Sequence, residues 1–269
     1  MERILPGLTT LPRPVFARVE TLDRPSWVRE HSHPWVQLSY AISGVLGVRT
    51  RFGSYLAPPQ RAIWVPPDVE HSVVTTERTQ MRGLYIDPDA VKGVVPWGPK
   101  ECRVLEVPPL VRELIRAVTS LPVDYDEAGP AGRLVAVLLD QLAGLAEVRF
   151  SLPLPVDGRL TRLAAELEQR PDDPRTLREL SAAAGLSART MTRLFLRETG
   201  LTFRAWRRRL RLLKSLTGLE AGESVTAVAL DSGYTSTSAF IAAFRREFGA
   251  TPRQAVHSDS PATAPELST

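Results

Sequence analysis

Residues 176–252 carry one plan twice: a short amphipathic helix, a glycine turn and a second helix, with an arginine-rich helical stretch between the copies. Thr176, with Glu179 three places on, forms a capping box that starts the first copy. Leu177, Leu180, Ala183 and Ala184 share one face, Gly185 breaks the helix, and Ser187 caps the next, which Gly200 ends. In the second copy Ser224 starts a helix carrying Val225, Val228 and Ala229. Gly233 and Tyr234 turn the chain, Ser236 or Thr237 starts the last helix, and Gly249 with Pro252 closes the unit.

The two second helices divide into an apolar and a polar face. Met191, Leu194 and Phe195 fall together, opposite Arg189, Thr192, Arg193, Leu196 and Arg197; Phe240, Ile241, Phe244 and Phe248 fall opposite Ser238, Ala239, Ala242 and Arg246. From Thr202 to Leu216 the spacing of Phe203, Trp206, Leu210 and Leu213 predicts a rigid strut. Charge follows this plan: residues 1–154 hold 17 basic and 17 acidic side chains, whereas residues 155–257 hold 17 basic and 11 acidic. Between Arg189 and Lys214 nine basic residues stand against one acid, Glu198. That is the footprint of a surface for nucleic-acid phosphates.

GLSARTMTRLFLRETG (185–200), followed by GYTSTSAFIAAFRREFGATP (233–252), resembles the DNA-binding domain of the AraC/XylS family of bacterial transcription regulators. The resemblance covers residues 158–257. It implies two recognition helices in successive major-groove segments about one helical turn apart. By position the base-reading candidates are Arg189, Thr192 and Arg193 in the first helix and Ser238, Ala239 and Ala242 in the second. Arg197, Arg207, Arg208 and Arg246 are the candidates for the DNA backbone. Many family members carry a long polar residue where this chain has Ala242; a methyl group touches thymine but donates no hydrogen bond. Most sequence discrimination is therefore expected from the first helix.

Upstream the text changes. From Val15 to Val107 short apolar or alternating runs (VFARVE, WVQLSYAI, VLGVRT, RAIWV, HSVVT, MRGLYI, CRVLEV) are separated by turn residues, which predicts a small antiparallel barrel or sandwich over residues 1–107. Residues 108–150 read as two packing helices: LVRELIRAVTSL after Pro108 and Pro109, and AGRLVAVLLDQLAGLAEV over 131–148, with a spare face suited to a homodimer. SLPLPVDG reads as a linker (151–157) before the DNA-binding domain (158–257), and 258–269 as a disordered tail. The expected class is α+β: a β domain, then an all-α domain.

His31, His33 and His71 are three of the four histidines. His31-Ser-His33, then Gln37, and Pro66-Pro-Asp-Val-Glu-His71 are similar to the two metal-site motifs of cupins, the small barrels that form the sensor domain of many AraC-type regulators. The resemblance covers residues 24–107. Gln37 stands where that pattern has a glutamate, Asp68 where it has a turn glycine, and Thr75 where it has an asparagine. Three converging imidazoles suit a divalent transition metal with a Gln oxygen as fourth ligand. They equally suit hydrogen bonds to a small effector, or to one another. With Gln37, Trp64 and Tyr85 they make the candidate effector pocket, while Trp35, Tyr40 and most other aromatics of these strands read as core.

The expected function is a DNA-binding transcription regulator, not an enzyme, whose promoter binding is controlled by a small-molecule effector in the barrel. Its partners would be double-stranded promoter DNA, the effector, a second copy of the chain and, for an activator, RNA polymerase. A metal-dependent cupin enzyme on a DNA-binding tail is the alternative, weakened because the common non-haem iron site needs a carboxylate. A non-specific architectural protein is a third. One cysteine, Cys102, precludes an intrachain disulfide and suits a reducing cytosol, and neither a signal peptide nor a membrane span is expected.

Overall fold

The computed structural model describes residues 10–75, 79–96 and 102–256. The N-terminal half builds two five-stranded sheets. One runs β1 (Val15–Leu22), β8 (Thr79–Ile86), β3 (Val36–Ser43), β6 (Arg61–Val65), β9 (Arg103–Glu106). The other runs β10 (Ser151–Pro153), β5 (Gly53–Ala57), β4 (Leu46–Thr50), β7 (His71–Thr75), β2 (Ser26–His31). Every pairing is antiparallel.

Side chains alternate across each strand, and in the first sheet both faces are covered. From β3, Leu38 and Tyr40 join Trp64 and Leu84 in a core completed by two helices, α1 (Pro109–Val118) and α2 (Pro130–Leu142). Val111, Leu114, Ile115 and Val118 form the buried stripe of α1, and Val135, Leu138, Leu139 and Leu142 that of α2, both at helical spacing. On its other face the sheet contributes Ala41, Ile63, Met81 and Val104 to a second core shared with Leu46, Val48 and Val73 of the opposing sheet. Cys102 is buried there, and desolvation pushes its thiol up to about 12, so it is held unreactive.

Two expectations need correction here. The second packing helix stops at Leu142 rather than running to 148, because the chain beyond Gly144 pairs with β9: the Val148 amide donates to the Val104 carbonyl at 2.8 Å, and Leu105 bridges Glu147. The run expected as a bare linker begins instead as edge strand β10, where Pro153 removes an N–H the sheet edge does not need. The tail at 258–269 lies outside the described residues.

The C-terminal half is helical: α3 (Gly158–Gln169), α4 (Leu177–Ala183), α5 (Ala188–Thr199), α6 (Phe203–Glu220), α7 (Val225–Asp231), α8 (Thr237–Phe248) and α9 (Pro252–Val256). It packs on the outer face of the second sheet. Arg49 and the Ser54 hydroxyl both engage Glu168 of α3, at 2.8 and 3.0 Å, and the Gly44 amide donates to Glu220 at 2.7 Å. Trp206, fully buried, donates its indole N–H to the Pro153 carbonyl at 2.7 Å. Four layers result: α1 and α2, the first sheet, the second sheet, and the C-terminal helices.

Candidate nucleic-acid interface and sensor pocket

Each helix-turn-helix is built by local chemistry. The capping box at Thr176 is formed, the Glu179 amide donating to its hydroxyl at 3.3 Å and its own amide donating to the Glu179 carboxylate at 2.7 Å. Gly185 and Gly233 make the two turns at φ of 67° and 76°, a region costly for other residues. Ser187 caps α5 by accepting from the Thr190 amide at 3.1 Å, and Ser236 caps α8 by accepting from the Ala239 amide at 3.2 Å. Of the two candidate caps for the last helix, Ser236 makes the bond.

The candidate reading faces emerge as drawn from the sequence, with two changes. Arg189, Arg193 and Arg197 of α5 are exposed, as are Ser238, Ala239, Ala242 and Arg246 of α8. Thr192 is half-buried, and its hydroxyl donates to the Ala188 carbonyl at 2.9 Å, so its free surface is largely the methyl group. Arg208 is half-exposed and faces Glu247 at 3.6 Å. Arg207, a candidate for the DNA backbone, is half-buried, with Nη1 donating to the Arg175 carbonyl at 2.7 Å. Its position beside Phe203 and Leu210 on the buried side of α6 explains why.

The strut α6 is 18 residues, about 27 Å at 1.5 Å per residue. It runs four residues beyond the expected Leu216, because Leu219 is buried and Glu220 reaches the Gly44 amide. Arg209 joins the second unit to the strut through Glu247 at 2.5 Å, and Arg211 ties it to the Pro171 carbonyl at 2.8 Å. Strut and both units are therefore tied together by side-chain contacts.

In the barrel, His31, His33 and His71 converge, each offering a ring nitrogen within 4.8 Å of the others. Their ring centroids lie 4.4 to 5.7 Å apart. Every Nδ1 is tied to a backbone carbonyl: His31 to Arg29 at 2.8 Å, His33 to Trp35 at 2.9 Å, His71 to Val69 at 2.8 Å. A carbonyl accepts, so each Nδ1 carries a proton, and in a neutral ring so held the lone pair lies on Nε2. The Nε2 atoms of His31 and His71 are buried without a partner. Burial pushes His71 down to about 4 and lowers His33, which keeps both rings neutral at pH 7.

Gln37 completes the cluster, with Oε1 at 3.0 Å from His33 Nε2 and its amide nitrogen donating to Ser39 Oγ at 2.8 Å. Trp35 stacks on His33 at 5.2 Å, and Tyr85 meets it edge-on at 6.1 Å. Sequence reasoning left Trp35 in the core; its contact with His33 puts it at the pocket, and only its place two residues from His33 signals this. Trp64 goes the other way. Paired with Leu38, it faces α1 and α2 across the sheet from the histidines and does not line the pocket. Asp68 occupies a left-handed turn at φ 58°, the conformation for which a glycine is the usual choice. Thr75 instead bonds Ser26.

With both sites described, comparison with known proteins becomes informative. Residues 17–144 match the AraC-like ligand binding domain and residues 180–257 a helix-turn-helix domain. The chain is 33% identical over 222 residues to the HTH-type transcriptional regulator NimR of Escherichia coli, spanning 82% of this chain and 80% of that protein.

The chain belongs to the AraC family of transcription regulators.

This AraC-family chain is also 38% identical over 100 residues to the HTH-type transcriptional regulator RipA of Corynebacterium glutamicum, covering 37% of this chain and 30% of that one. A crystal structure of Vibrio cholerae ToxT bound to an unsaturated fatty acid aligns with 90% of this chain and 94% of its own, at 11% identity and a TM-score of 0.38. As a family member the chain is a DNA-binding transcription regulator with a ligand-binding domain. Among the described residues no helix is long and apolar enough to cross a membrane.

Proposed function

We propose that this regulator, acting in the cytoplasm as a homodimer and not as an enzyme, reads promoter DNA chiefly through Arg189 and Arg193. Thr192, Ser238, Ala239 and Ala242 would add apolar and backbone contacts, and RNA polymerase would be a partner if it activates. The barrel senses through His31, His33 and His71, which hold a divalent transition metal. One observation carries the sensor reading: three imidazoles oriented by carbonyls at Nδ1, with two inward Nε2 atoms buried and unbonded. Backbone carbonyls at the second nitrogen are the usual way a ligating imidazole is oriented.

The donor set fits such a metal in chemistry. Three ring nitrogens within 4.8 Å of one another would hold such a metal. A bound metal supplies a fixed positive centre that neutral imidazoles grip and to which an anionic effector is drawn. Gln37 has a definite part. Its oxygen, 3.0 Å from His33 Nε2 while its amide nitrogen is held by Ser39, would serve as a fourth ligand to a metal at that nitrogen.

The route to the DNA-binding half is short. His71 opens β7, whose Ser72 and Val74 line a cavity on the outer face of the sheet beside Leu210, Leu213 and Lys214 of the strut. A ligand held at His71 would therefore act on the strand beside which the strut lies. Metal analysis of tag-free protein after repletion with zinc, nickel or cobalt is expected to find close to one equivalent. His71→Ala should lose it by about 10- to 100-fold in affinity. No retained metal in the wild type ends the metal reading and leaves a purely organic effector.

A further inference from the structure

The two helix-turn-helix units are separated by a cleft of about 540 Å³ floored by the strut. Thr192 of the first recognition helix lies on one side, Tyr234 of the second turn on the other, and Arg204, Arg207, Arg208 and Arg211 between them. Among the described residues no carboxylate lines it. A pocket so charged, lined by the first reading helix and by the turn that precedes the second, attracts an anion before it attracts anything else.

Its central residue is in an unusual state. Arg207 makes one hydrogen bond, from Nη1 to the Arg175 carbonyl, while its Nε and Nη2 are buried with no partner. The Tyr234 hydroxyl in the same cleft is also buried and unpartnered. On the strut Arg207 sits beside Phe203 and Leu210, where a leucine would pack without leaving charged donors unsatisfied. Nearby Arg211 and Arg175 oppose its charge, with Asp173 in partial compensation. Asp173 is itself committed to Arg175 at 2.7 Å.

We propose that this cleft is a phosphate-binding site, in which Arg207 turns outward to grip a phosphodiester of the DNA backbone between the two major-groove segments, with the Tyr234 hydroxyl as second donor. The inference rests on α5 and α8 reading successive major grooves, which brings the intervening backbone across the cleft. Guanidinium is matched to phosphate because its fork presents two parallel N–H groups. Little holds the side chain in its inner position, since two of its three nitrogens lose no hydrogen bond on leaving. A free phosphorylated small molecule has the same chemistry, so the test separates the two sources.

Arg207→Leu in the full chain should melt at or above the wild-type temperature, because an aliphatic side chain suits the strip, yet bind its promoter roughly ten-fold more weakly. Its loss should be uniform across sequences, with the salt dependence of log K reduced by about 0.9, the value of one phosphate. Tyr234→Phe, which removes only the hydroxyl, should follow at about three-fold. Replacing the phosphates between the half-sites with neutral methylphosphonates should erase the difference between wild type and Arg207→Leu.

If that difference survives neutral linkages, and DNA-free wild-type protein binds ATP saturably while Arg207→Leu does not, the phosphate comes from a small molecule. If Arg207→Leu matches wild type in salt slope, promoter affinity and ATP binding, the cleft site is wrong. Arg193→Ala is the control: weakened binding there with an unaffected Arg207→Leu overturns the cleft alone. Full affinity in both variants overturns the reading of the recognition helices.

Discussion

The first and second recognition helices are both 12 residues long, both capped by a serine hydroxyl and both ended by a left-handed glycine, Gly200 at φ 70° and Gly249 at φ 76°. Behind each stands an aromatic core: Phe195 against Phe203 and Trp206 at 5.0 and 5.4 Å, Phe240 against Phe244 and Phe244 against Phe248 at 5.7 and 4.7 Å. Their outer faces differ. Helix α5 presents Arg189, Arg193 and Arg197, whereas α8 presents Ser238, Ala239 and Ala242 before Arg245 and Arg246 in its last turn. Frame and surface are thus separable: caps and core repeat, while the exposed positions are free to specialise.

The tethers differ as well. The first unit is anchored at the corner between α3 and α4 by buried Asp173, which grips Arg175, which in turn reaches Glu166 at 2.6 Å. The second unit hangs on Glu247, shared by Arg208 and Arg209. An interdomain contact backs each arrangement: Glu198 of the first unit accepts from the Val156 and Asp157 amides at 2.9 Å each, and Phe248 of the second packs on Phe150 at 4.8 Å.

The sharpest break in the comparison is Arg193→Ala. Loss of this candidate base-reading guanidinium should cost about 1–3 kcal/mol, or about 5- to 150-fold in affinity for the preferred site, with discrimination flattened at one base position. Binding to a randomised duplex library would measure both. An equal loss of specificity from Ala242→Ser would mean that the two faces are not specialised.

A smaller effect is expected at the first tether. The Arg175 guanidinium beside Asp173 holds its carboxyl down at about 2, below the ordinary carboxylate value near 4. Its stabilisation is therefore complete above about pH 4 and is lost as pH falls toward 2. Asp173→Asn should destabilise the protein by about 1–2 kcal/mol at pH 7. The gap from wild type should close on acidification. Hydrogen exchange should quicken in α4 and α5 before α7 and α8; a pH-independent gap would show that packing, not charge, anchors the corner.

The smallest effect is Ala242→Ser, which should change affinity by no more than about two-fold, since the added hydroxyl is exposed and costs nothing to bury.

Much of the recognition machinery was legible because its causes are local. Caps, turn glycines and apolar stripes act over three or four residues, so Thr176 with Glu179, or Ser187 before α5, can be read directly from the text. The misses have non-local causes. Strands β2, β5 and β10 escaped because an exposed charged edge, a glycine start and a proline all blur alternation, and pairing with distant strands makes them strands. The apolar spacing predicts a strut ending at Leu216, yet it continues through Gly218 because Leu219 and Glu220 find partners beyond it.

Side is the other quantity that local text leaves open. Alternation places Trp64 and His71 on strands but does not say which face meets which layer. That Trp64 turns to α1 and α2 while the histidines meet between the sheets follows from the stacking of layers. Likewise, the helical period sets Arg207 beside Phe203, but the one bond its guanidinium makes goes to the Arg175 carbonyl, 32 residues away. Backbone hydrogen bonding and side-chain period are properties of neighbours along the chain, so two DNA-reading helices on an arginine-rich strut were already implied by the order of residues. Which donors end up satisfied, and which histidine nitrogens and arginine donors are left bare, depends on surfaces brought together from distant parts of the chain, and only their packing could settle it.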